Sequence, residues 1–162
     1  MPRFALAVLV SLSLPLSSFA GTHKVPEEKT IATVTLPDKW KANDYDEGVE
    51  VNSDDGEVYL AVEATDAKGV KASMEAAMKY LTKKGVTVDA DSAKQEEGKL
   101  NGMEAVDISW DGKDDEGAAK ISLTVIEISG NKALLLIYWA SPDGEKKHLE
   151  ELHKIAQSIK KA

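Results

Sequence analysis

Six consecutive apolar residues, Leu134-Leu135-Leu136-Ile137-Tyr138-Trp139, constrain this chain more than any other feature in it. A Gly130-Asn131 turn signal precedes them and Ser141-Pro142 follows, so the run over 132–140 is too short for an ordinary helix and reads as a strand. Successive side chains of a strand point to opposite faces of its sheet. A strand apolar on both faces has nothing to offer water, so it belongs in the middle of a sheet covered on both sides.

The rest of the pattern supplies that sheet and its cover. Residues 29–36 alternate and end at Pro37, which predicts a first strand. Residues 48–52 and 57–64 flank Ser53-Asp54-Asp55-Gly56, and Asp-Gly favours a tight hairpin, with Val49 and Val51 facing Val58, Leu60 and Val62. Val70, Met74, Ala77, Met78 and Leu81 form one apolar stripe of a helix over 70–84, closed by Lys83, Lys84 and Gly85. A short strand over 86–88, a polar edge strand over 94–99 and an Asn101-Gly102 turn come next. Strands over 104–111 and 118–129 follow, separated by a charged loop over 112–117. Ser141 and Pro142 start one last helix, whose buried stripe is Leu149, Leu152, Ile155, Ala156 and Ile159. Hairpin-linked strands imply an antiparallel sheet. The expected fold is α+β, with about six strands sandwiched by helices.

The start Leu36-Pro37-Asp38-Lys39-Trp40, the 49–62 hairpin, the 70–81 helix and the closing 134–139 strand with its 149–159 helix together resemble the PsbP-like fold. That group includes the photosystem II extrinsic subunit, the Mog-type Ran-binding proteins and the bacterial DcrB-like periplasmic proteins, the last being nearest in outline. The resemblance implies an antiparallel sheet between helices and a non-enzymatic binding or assembly role. Its motifs are fold motifs, and they carry over no site residue.

Residues 1–20 read as a cleavable leader. Arg3 is followed by an apolar stretch over 4–16, and Ser18 and Ala20 are the small residues before a cut after Ala20. Thirteen residues span about 20 Å as a helix, short of the roughly 20 residues a bilayer core requires. Residues 21–28 then read as a flexible lead-in, and 29–162 as a single domain. The chain has no cysteine, which removes disulfides and thiolate chemistry and favours a bacterial periplasm or exterior over a eukaryotic secretory route. Loss of Arg3 with the leader takes the formal net charge from -8 to one unit lower. Such a domain repels phosphate backbones and anionic membrane surfaces.

Sites of chemistry are sparse. Asp44-Tyr45-Asp46-Glu47 and the 111–117 segment, with Asp111, Asp114, Asp115 and Glu116, are carboxylate clusters without a calcium-loop spacing, and Lys113 sits within the second. His23 falls in the lead-in. His148 and His153 point about 140° apart on a helix and cannot share a metal, and His148 reads as an exposed partner of Glu151. Neither a nucleophile elbow nor a phosphate-binding glycine pattern occurs, so no cofactor is expected. Core packing is the expectation for Trp40, Trp110 and Trp139. Trp139 is central by its strand, whereas Trp40 follows a proline-containing turn and, with Leu36, is the candidate border of a partner groove. The expected function is an exported, non-enzymatic binding or assembly accessory protein of the bacterial envelope, its partner an envelope protein or a small ligand. The alternative is a metal-assisted hydrolase built on Asp111, Asp114 and Asp115.

Overall fold

The computed structural model describes residues 19–162. In chain order it contains β1 (Phe19–Val25), β2 (Ala32–Pro37), β3 (Lys41–Tyr45), β4 (Gly48–Asn52), β5 (Val58–Asp66), α1 (Val70–Lys83), β6 (Thr87–Val88), β7 (Lys94–Leu100), β8 (Met103–Asp114), β9 (Gly117–Ser129), β10 (Lys132–Ala140), α2 (Pro142–Lys147), α3 (Leu149–Ser158) and β11 (Lys160–Lys161). The large antiparallel sheet runs β3-β4-β5-β10-β9-β8, and β6 and β7 share the far edge of β8. It has eight strands, two more than expected. A second, three-stranded sheet, β1-β2-β11, lies apart from it.

β10 occupies the position its composition demands, between β5 and β9 with Ile137 opposite Ala61 on one side and Leu123 on the other. Leu134 and Leu135 are both fully buried, in cores on opposite faces of the sheet. One core gathers Leu135, Ile137, Ile121, Leu123 and Ala61 beneath Ala77 and Leu81 of α1. The other sets Leu134, Ile126, Val49, Val51, Leu60 and Val62 against Val25, Val34 and Leu36 of the small sheet and Ile155 of α3. Each fully buried aliphatic side chain contributes about 1.5–3 kcal/mol through removal of apolar surface from water. The cover is therefore a helix on one face and a small sheet plus a helix on the other, where helices alone were expected.

Several local expectations need correction. The 21–28 lead-in is structured through Val25: β1 pairs with β2, with His23 opposite Val34, and Val25 is fully buried. The polar residues of β1 concealed an edge strand with one apolar anchor. The predicted leader lies outside the described residues, except Phe19 and Ala20, which open β1. The charged loop over 112–117 is a tight hairpin in which β8 extends to Asp114 and β9 begins at Gly117. The last helix is two helices. Ser141 caps α2, its hydroxyl accepting from the Gly144 N–H, and the chain turns at His148 before α3. That turn rotates Leu149 off the buried stripe and leaves it 48% exposed. Among described helices, none is long and apolar enough to cross a membrane.

Candidate functional site

Strands β3, β4 and β5 form one margin of the large sheet, and their register builds rows of side chains across the face that α1 covers. Asn43 stands opposite Glu50, and Glu50 opposite Ala61. In the next row Tyr45 stands opposite Gly48, and Gly48 opposite Glu63. Ala61 and Tyr59 belong to the α1-face core, and the two-residue period places Glu63 on that face as well. Gly48 is required by close approach: a β-carbon there would lie 1.9 Å from the Val62 carbonyl oxygen. The Tyr45 hydroxyl donates to Oε1 of Glu63 at 2.7 Å.

Between these rows and α1 lies a cavity of about 340 Å³. Tyr45, Glu50, Tyr59, Glu63 and Tyr80 give it its chemistry, and Ala76 forms part of its rim. Three of the chain's four tyrosines line it. Tyr59 stacks on Trp139 with centroids 4.3 Å apart and lies 5.7 Å from Tyr80. Oε2 of Glu50 accepts from the hydroxyls of Tyr59 at 3.0 Å and Tyr80 at 3.3 Å, and its Oε1 accepts from Asn43 at 3.3 Å. Burial raises the Glu63 carboxyl above the ordinary glutamate range, the Tyr45 hydrogen bond opposes this, and the charges of Glu47 and Glu50 add to the rise. Burial, with the hydrogen bonds to Glu63, Tyr80 and Glu50, also pushes the Tyr45 and Tyr59 phenols up. Phenols shifted away from neutrality serve as neutral donors, not as bases or nucleophiles.

A second polar cluster ties the β4–β5 hairpin to the α2–α3 turn. The Asp55 carboxylate accepts from Lys147 at 2.6 Å, the Ser53 hydroxyl at 2.6 Å and the Glu57 N–H at 3.1 Å, and Nε2 of His148 lies 2.9 Å away. Lys147 is the largest cause holding Asp55 far below the usual carboxylate range, followed by Ser53, with His148 and Glu57 adding to it. His148 is buried at 5% exposure, with the Trp40 ring edge-on at 5.3 Å, and is not the exposed partner of Glu151 expected from helical spacing. Among described residues, Asp54, Asp55 and His148 form the one grouping whose ligand atoms fall within 4.8 Å of each other. The Lys147 ammonium already supplies the positive charge there.

The residues singled out by sequence fall elsewhere. Leu36 and Trp40 are buried at 2% and 6%, inside the core against the small sheet, so they offer a partner little surface. Asp111 pairs with Lys120 across β8 and β9, and Asp114 accepts from the Glu116 and Gly117 N–H groups that close the hairpin. Among the described residues, the carboxylates of the acidic loop do not gather into a cluster with ligand atoms within 4.8 Å of one another. His23 bonds to Asp44 at 2.8 Å, linking β1 to β3. The sequence carries no signal for the groove, because β3 is an exposed, largely polar strand without apolar alternation. Without it, Tyr45 and Glu63 have no reason to meet.

No protein-family model matches this sequence, and no curated protein matches it. Solved structures do. The fold resembles cyanobacterial PsbP (CyanoP) of Synechocystis at a TM-score of 0.59 and 10% identity, covering 93% of this chain and 98% of that one. It resembles LpqN of Mycobacterium tuberculosis, described as involved in cell envelope biogenesis, at 0.50 and 13%, covering 81% and 83%. A protein from Bacteroides thetaiotaomicron matches at 0.53 and 14%, over 81% of this chain, which spans only 45% of that longer one. The class is therefore an α+β sandwich, and its particular form is the PsbP-like fold.

Proposed function

We propose that this chain is an exported accessory protein of the bacterial envelope that binds a ligand, without transforming it, in the groove between α1 and strands β3, β4 and β5. The observation that carries the reading is the cavity itself, where an aromatic floor and two converging glutamates meet in a volume suited to a small ligand. The leader-like residues 1–20, the absence of cysteine and the likeness to an envelope-biogenesis protein support export. The net charge of -8 disfavours nucleic acid as the partner.

Cell fractionation combined with photo-cross-linking tests this. With a photoreactive side chain at Ala76, on the groove rim, the protein is expected in the envelope or periplasmic fraction, cross-linked to its ligand or partner. The same group at Leu149, exposed on α3, should not cross-link. Recovery in the cytoplasm, or equal cross-linking at both positions, contradicts the proposal.

A further inference from the structure

We infer that the groove selects an organic cation, a ligand that presents an ammonium or guanidinium group to Glu50 and Glu63 over the faces of Tyr59 and Tyr80. The inference rests on reading this groove as the binding site, and it follows from counting donors and acceptors. A phenol has one proton to give. Tyr45 gives its proton to Glu63, and Tyr59 and Tyr80 give theirs to Glu50. The tyrosines are thereby spent as donors, and what they leave for a ligand is π-faces and oxygen lone pairs. The described hydrogen bonds engage one oxygen of Glu63, that facing Tyr45, so the other remains an acceptor. Asn43 is the one lining side chain with an amide donor, and one of its two N–H bonds is turned to Glu50, which leaves a single amide proton among the lining side chains. The cavity is rich in acceptors and poor in donors, which selects ligands that donate.

Charge sharpens the selection. The charges of Glu47 and Glu50 act on Glu63, and none of the described ion pairs includes any of the three. An anion entering meets the carboxylates of Glu50 and Glu63, whereas a cation neutralises them within a partly desolvated site. Tyrosine rings attract cations through their negative faces. Tyr80 already does so, with the Lys84 ammonium 5.4 Å from its centroid. The Tyr59–Trp139 stack holds the ring floor in place without help from a ligand.

Amide spectra of the full described domain, titrated with n-butylguanidinium, n-butylammonium, 1-butanol and butyrate, read the inference directly. A capped Gly-Arg-Gly peptide and its norleucine counterpart, run in parallel, separate a free small cation from an arginine side chain of a protein partner. Signals of 43–50, 59–63 and 76–80 should move with the two cations or with the arginine peptide, and far less with the others. Added salt should weaken the effect. Glu63→Gln keeps an oxygen for Tyr45 and so the fold, and it should weaken cation binding about ten-fold. Equal response to butanol and to the cations, or an unchanged affinity in Glu63→Gln, overturns the cation inference while leaving a groove that binds neutral ligands. If no probe of any charge moves these signals, both the inference and the groove reading fall.

Discussion

Trp40 and Trp139 exchange the roles that sequence position suggests. Trp40 leaves a proline-containing turn yet is 6% exposed, packed among Val58, Leu60 and Ala140 and edge-on to His148. Trp139 sits in the most apolar strand yet is only half-buried, with its ring stacked on Tyr59 at the edge of the α1-face core. Trp40→Ala should therefore cost about 3–5 kcal/mol, the range for deleting a large buried aromatic. Trp139→Ala should cost less, about 1–3 kcal/mol, made up of partial burial and one stacked pair. Urea unfolding of the two variants decides the order. Glu63 and Asp55 make opposite demands on pH. The Glu63 carboxyl is raised in the folded state, so its charged form costs stability above that raised value and nothing below the ordinary one near 4.5. Glu63→Gln should then unfold at a higher temperature than wild type at pH 7, with the gain shrinking as pH falls below the raised value and gone below about 4.5. The same substitution that weakens cation binding stabilises the fold, as expected of a site held in readiness.

At the scale of elements, the turn at His148 joins the α2–α3 unit to the β4–β5 hairpin through Asp55. The Asp55 carboxyl is depressed on folding, so its contribution is present above the ordinary carboxylate range and is lost as pH falls toward its folded value. Asp55→Asn removes the charge opposite Lys147 and should cost about 2 kcal/mol at pH 7. The deficit relative to wild type should shrink steadily in unfolding curves taken toward pH 2. The Asn101-Gly102 turn does similar work at the other end, where the Asn101 amide donates to the Ala156 and Ile159 carbonyls that end α3. These joints also explain what was legible from sequence. β10 and the 48–64 hairpin announce themselves because they are mostly buried, and α1 because its one buried stripe, with Ala77 and Leu81, recurs at helical spacing; burial writes periodicity into composition. β3 is Lys-Ala-Asn-Asp-Tyr on an exposed edge, and Thr22, His23 and Lys24 give the middle of β1 a polar run before Val25. Edge strands that shun aggregation look like loops. The groove depends on β3, so it was hidden with it, and Asp55–His148 spans 93 positions that no spacing rule connects.

For the whole molecule, the two faces of the large sheet have divided their tasks. One is sealed by β1, β2, β11 and α3 around the larger of the two apolar cores. The other is covered by a single helix that leaves the margin at β3, β4 and β5 open, and the polar aromatic groove occupies that opening. The central claim is that this groove is where the protein meets its ligand. Ala76 is exposed, lines the groove and takes no part in either core, so Ala76→Trp should fill the cavity and change stability by no more than about 0.5 kcal/mol. Native mass spectrometry of the wild type and of Ala76→Trp, each recovered from envelope extract, is the most direct test. The account predicts retained ligand or partner on the wild type and its loss from an equally stable Ala76→Trp. Equal retention by both would contradict it.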